Sequence, residues 1–149
     1  MSDLYSWHSD LVRLAVRDAQ DIAEIGPFPT LAERDEERSV GHVVSLTEEM
    51  FCRLAACSPN ANHLSAILSV NERLHIMRMH EPSPRRRLRE IEAIWNALAL
   101  GNKNSARATL WSYHRRRLLA VENIFQSMVR SGYVSETKEL PSASDGRGS

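Results

Sequence analysis

Between its few prolines and glycines most of the chain runs in five stretches of 16 to 30 residues rich in Leu, Ala, Arg and Glu. Such segments are too long and too helix-favouring to be strands, so an all-α fold is expected. The first segment, about Ser2 to Ile25, spaces Leu4, Trp7, Leu11, Leu14, Asp18, Ile22 and Ile25 by three or four, an apolar stripe with one polar interruption. Gly26-Pro27-Phe28-Pro29 stops it. Thr30 and Glu33 form a capping box before a nearly all-charged stretch to Arg38, read as a short surface helix or ordered linker. About Val43 to Cys57, the positions Val43, Leu46, Met50, Leu54 and Cys57 share a face, and Ser58-Pro59-Asn60 ends the segment.

The next helix, about Asn62 to Met79, sets Leu64, Ile67, Leu68, Asn71, Leu74 and Arg78 along one side. Two polar groups on an inward stripe need partners, and a ligand is one source of them. Ser83 is placed to cap a helix that starts with Pro84, ends at Leu100 and carries Leu88, Ile91, Ile94, Trp95 and Leu98. Gly101 suits a left-handed C-terminal position. A last helix, about Asn104 to Arg130, presents Ala106, Leu110, Tyr113, Leu118, Val121, Ile124, Phe125 and Met128. From Ser131 onward Gly, Ser, Pro and charge dominate, so residues 131–149 read as a disordered tail after one helical domain over residues 1–130. The expected architecture is an antiparallel bundle of about six helices.

Composition narrows the function. Lys plus Arg and Asp plus Glu both number 19 among 149 residues, whereas a dedicated nucleic-acid domain usually carries a basic excess. No apolar run approaches the roughly 20 residues of a membrane span. The N-terminus MSDLYSWHSD has no secretory pattern, and a cytoplasmic location follows as the expectation, with Cys52 and Cys57 reduced. No nucleophile elbow, phosphate loop, HExxH or acidic calcium loop occurs, so an enzyme is not expected. His75 and His80 are five apart and point about 140° away from each other on a helix, so they form no two-ligand metal face. Of the clusters Arg85-Arg86-Arg87 and Arg115-Arg116-Arg117, most members are expected in solvent, with one of each able to reach inward.

From Gly41 to Phe125 the order of features resembles the FCD domain, the effector-binding and dimerisation domain of FadR-type GntR transcription regulators. GHVVSLTEEMFCRLAACSPN resembles the family's Leu-Asp-x-x-Phe-His helix with its Ala-rich turn and Asn. LSAILSVNERLHIMRMHEPSPRRRLRE resembles the next long helix with its Arg-Leu-x-x-x-Arg core, and EIEAIWNALALGNKNSARATLWSYHRRRL resembles the final pair of helices ending in His. The resemblance implies a small-molecule-sensing, homodimerising domain whose bundle of about six helices encloses a central ligand cavity. Many family members hold a metal with one Asp and three His; here those positions fall on Thr47, Phe51, Ile91 and His114, so the site is degenerate and no metal is expected. A register shifted by one residue instead offers Glu48, Cys52 and His114 as a metal set. The ligand site implied is a pocket lined by Phe51, Ile91 and Trp95, with Asn71, Arg78 and His114 as polar anchors for a small organic acid. The bland alternatives are a His114 satisfied by backbone and an Arg78 ion-paired to Glu48 or Glu90. Residues 1–40 lack the hairpin of a winged helix, so DNA binding by this chain alone is not expected. The other reading is a helical protein–protein interaction module without a ligand, marked by an exposed stripe of Leu4, Trp7, Leu11 and Leu14.

Overall fold

The computed structural model describes residues 2–29 and 39–132. Within them the chain forms five α-helices: α1 (Ser2–Asp18), α2 (Val40–Ala56), α3 (Ala61–Met79), α4 (Pro84–Ala99) and α5 (Lys103–Arg130), with a 3₁₀ turn at Ile22–Ile25. The short helix expected over Thr30–Arg38 lies outside the described residues, as does all of the expected tail but Ser131 and Gly132, which form the turn closing α5.

Local chemistry sets the boundaries. Asn60 accepts from Asn62 N–H and Asn102 from Ser105 N–H, so side-chain amides cap α3 and α5. Gly101 adopts φ 80°, the left-handed geometry expected of it. Ser83 departs from expectation: its φ of 56° makes it left-handed and its hydroxyl caps nothing, leaving Pro84 to begin α4. The first helix also ends sooner than the apolar spacing suggests. Asp21 accepts from Ala23 N–H and starts a separate 3₁₀ turn, which Gly26 terminates at φ 80°.

The four-residue link between α2 and α3 and the three-residue link between α4 and α5 fold each pair into a helical hairpin. Helix α1 lies across both and packs on α2, α3 and α5, while α4 packs on α2, α5 and the 3₁₀ turn. One apolar cluster joins Val12, Phe51, Leu54, Ile67, Ile91, Trp95 and Leu98, and a smaller one joins Tyr5, Val70, Leu74, Met77, Ile124 and Met128. The face expected on α2 is buried throughout. That of α1 is turned by one position: Tyr5, His8, Val12, Ala15 and Val16 face inward, Leu4, Leu11 and Leu14 are half-buried, and Trp7 is exposed. Packing on three helices at once favours this side, because Ala15 permits close approach and the polar tips of Tyr5 and His8 find partners inside. Leu68 on α3 and Leu118 and Phe125 on α5, expected in the core, are exposed.

Candidate functional site

The centre of the bundle holds a chain of polar side chains drawn from α1, α3 and α5. Asn71 and Arg78, seven residues and two turns apart, share a face of α3, and Arg78 Nη1 donates to Asn71 Oδ1 at 2.7 Å. Arg78 Nη2 donates to His8 Nε2 at 3.3 Å, and His8 Nδ1 lies 2.8 Å from His114 Nε2. His114 Nδ1 is 2.9 Å from the Leu110 carbonyl. That carbonyl can only accept, which fixes every proton: His114 is protonated at Nδ1, His8 Nδ1–H donates to His114 Nε2, and His8 Nε2 accepts from Arg78. Both imidazoles are therefore neutral. Burial holds His8 well below the usual histidine range, and the Arg78 charge pushes the same way. Burial likewise pushes His114 down to about 4, against the opposing pull of its Leu110 hydrogen bond.

Phe51 closes the chain from α2, edge-on to His8 at 4.4 Å between ring centroids and 5.9 Å from His114. Arg78 is fully buried, and its guanidinium carbon lies 5.8 Å from the Phe51 ring. Its hydrogen bonds go to neutral groups, and Nε has no hydrogen-bond partner among the described residues. Glu48, at 4.0 Å from Nη1, also receives His75 at 2.8 Å. Buried Tyr113, 5.0 Å from the His114 ring, likewise leaves its hydroxyl without a hydrogen-bond partner among the described residues.

A second polar cluster adjoins this one. Glu81 accepts from Tyr5 Oη at 2.6 Å and pairs with Arg87 at 3.0 Å and Arg117 at 3.3 Å, while Glu90 takes Arg117 at 2.5 Å together with Arg116. One arginine of each triplet thus turns inward, as the sequence allows. The buried cations Arg78, Arg87 and Arg117 outnumber Glu81 and Glu90 by one, and Glu48 is only loosely engaged.

Two grooves flank the central chain. One, of about 320 Å³ between α1 and α5, is lined by Val12, Val16, Leu110, Trp111, Arg13 and Arg107, with His114 on its wall. The other, of about 440 Å³ between α2 and α3, is lined by Glu48, Cys52, Leu68, Asn71, His75 and other residues. The hydrogen-bonded line His114–His8–Arg78–Asn71 runs through the core from one groove to the other.

Four of the six residues expected at a ligand site, Phe51, Asn71, Arg78 and His114, come together here. Ile91 and Trp95 do not join the polar chain. Ile91 is apolar core, and the Trp95 indole donates to the Gly26 carbonyl at 3.0 Å and meets Phe28 edge-on at 5.6 Å, pinning the segment after the 3₁₀ turn. Thr47 spends its hydroxyl on the Val43 carbonyl at 2.7 Å. The alternative metal set is not assembled: Glu48 and Cys52 line one groove and His114 the other, and among the described residues no three His, Cys, Asp or Glu side chains converge to hold a metal. His8 is the residue sequence reasoning missed. Its signal was present in the uncharged series Tyr5, His8, Val12, Ala15, one position along from the more strongly apolar stripe. Comparison of the chain with protein-family models, curated proteins and solved structures gives no match.

Proposed function

We propose that this chain is a small-molecule-sensing and dimerisation domain of the kind found in FadR-type GntR transcription regulators, an FCD-like domain with a degenerate metal site, working in the cytoplasm. The observation that carries this reading is Arg78: a guanidinium fully buried at the bundle centre, hydrogen-bonded only to neutral groups, with Glu48 no nearer than 4.0 Å and Nε without a hydrogen-bond partner among the described residues. A buried cation is costly unless an anion meets it. A carboxylate engaging Arg78, with the Tyr113 hydroxyl as a second donor, would supply that anion. The route in is the groove between α1 and α5, where Arg13 and Arg107 attract an acid and Val12, Val16 and Leu110 receive its apolar part. Further support is that Phe51 and His114, at positions where the resemblance expects metal ligands, meet at the centre. His8 takes the space there as a second imidazole, so the ligand is an organic anion and not a metal-bound one.

Entry of the acid would part His114 from His8 and so shift α5 against α1, provided the ligand favours the parted packing. In a dimer that shift would change the spacing of attached DNA-reading units. The test is thermal unfolding of the chain with a panel of monocarboxylic, dicarboxylic and sugar acids, and with Zn²⁺ or Ni²⁺ against EDTA. An acid at 100 times its dissociation constant is expected to stabilise wild type by about 2.7 kcal/mol and an Arg78→Met variant not at all. Equal stabilisation of both would remove Arg78 from the site.

A second reading, a ligand-free interaction module, draws on exposed apolar surface. Its expected α1 stripe reduces to Trp7; the exposed series lies on α5.

A further inference from the structure

Trp111, Leu118 and Phe125 recur every seven residues along α5 and are 60%, 37% and 41% exposed, with Leu119 beside them at 75%. A seven-residue repeat keeps side chains on one face, so these form a continuous apolar stripe about 21 Å long. Single exposed apolar residues are ordinary, but a periodic row on one helix is the pattern of a helix that packs on another. Arg115 and Glu122 sit in the same row, each four residues after an apolar member. The Arg115 guanidinium lies 5.2 Å over the Trp111 ring, and Glu122 makes no ion pair among the described residues.

We propose that this face of α5 binds the same face of a second copy of the chain, with the two helices antiparallel about a twofold axis between Leu118 and Leu119. That axis lies midway between Arg115 and Glu122. Each Arg115 then meets the partner's Glu122, so both charges in the row are compensated twice by one symmetry operation. Leu118 packs on the partner's Leu119, and Trp111 comes beside the partner's Phe125, an aromatic pair at each end. A parallel pairing would set Arg115 on Arg115 and Glu122 on Glu122 and is disfavoured by like charge. Two helices crossing along one stripe form an interface at the small end of the known range, so dissociation on the order of micromolar is expected. Trp111 also lines the groove between α1 and α5, which places the mouth of the proposed effector site at the edge of this interface.

The inference deepens the dimerisation part of the reading above and needs no effector. Sedimentation equilibrium of the full chain over about 1 to 200 µM tests it. Wild type is expected to dimerise. Leu118→Glu, Arg115→Glu and Glu122→Arg are each expected to raise the dissociation constant at least about tenfold, and the Arg115→Glu/Glu122→Arg double variant to return it to within about threefold of wild type. Circular dichroism establishes that each variant is folded; should Leu118→Glu unfold, the exposed charge swaps carry the test. A chain monomeric at every concentration overturns both this face and the dimerisation reading. A dimer indifferent to all three single changes overturns this face alone, and a double variant that stays weak overturns the antiparallel register.

Discussion

His8 Nδ1 donates to His114 Nε2 across 2.8 Å, joining the first and last helices through two neutral imidazoles at the bundle centre. Because Leu110 O and Arg78 fix the outer ends, a proton added to either ring would place two N–H groups face to face or set a cation beside Arg78.

Acid is therefore expected to destabilise the fold before it titrates carboxylates. His114 binds a proton near pH 6.5 when unfolded but only at about 4 when folded, so the unfolded chain binds more protons between those values and stability falls as pH falls through them. The loss is about 3 kcal/mol by pH 4, with His8, also held low, adding in the same direction. Urea unfolding at half-unit pH steps checks this; a flat midpoint between pH 6.5 and 4 would contradict the neutral pair.

Glu81→Gln is expected to be far more damaging than loss of a surface carboxylate. It leaves Arg87 and Arg117 facing a neutral amide in a buried setting and weakens the bond to Tyr5, at a cost of about 3–5 kcal/mol. Glu49→Gln breaks the exposed Arg53–Glu49 pair and is expected to cost under about 1 kcal/mol. Chemical denaturation of the two variants side by side gives the ratio.

Without ligand, Arg78→Met has an outcome of its own. It removes the buried charge but leaves the Asn71 oxygen and His8 Nε2 without a donor, so a net loss of about 1–3 kcal/mol is expected. The accompanying sign is a rise in the His8 pKa, since the neighbouring positive charge is gone. Histidine proton chemical shifts followed against pH report it; an unchanged His8 titration would mean that Arg78 does not act on the ring.

Trp95→Phe removes the donor that holds the Gly26 carbonyl and shrinks a fully buried side chain, with an expected cost of about 1–3 kcal/mol. Amide exchange at Ile25 and Gly26 should speed up more than exchange in α3. Equal effects in both places would show that Trp95 acts only as core volume.

The inward face of α2 was legible because its apolar residues leave a single consistent stripe. So were Asn71 and Arg78, since two polar residues on an inward face two turns apart mark a buried polar site. Glu81 was not. It stands in the Glu81-Pro82-Ser83-Pro84 break, where a charge reads as solvated loop, and only the approach of Tyr5, Arg87 and Arg117 from three helices buries it. His8 stayed hidden because two candidate stripes on α1 lie one position apart, and periodicity alone cannot rank a purely apolar stripe against one with two polar tips.

The sequence by itself determined the helices, most of their breaks, and Pro84 and Gly101 at the two ends of α4, because propensity, proline and glycine act over a few residues. It also determined that two polar groups would be drawn inward on α3. Tertiary structure decided the rotation of α1, the pairing of His8 with His114 and the burial of Glu81 among arginines. Each depends on groups brought together from different segments of the chain, Tyr5 and Glu81 from 76 residues apart and His8 and His114 from 106, whose charges and hydrogen bonds are worth little until packing removes the water between them.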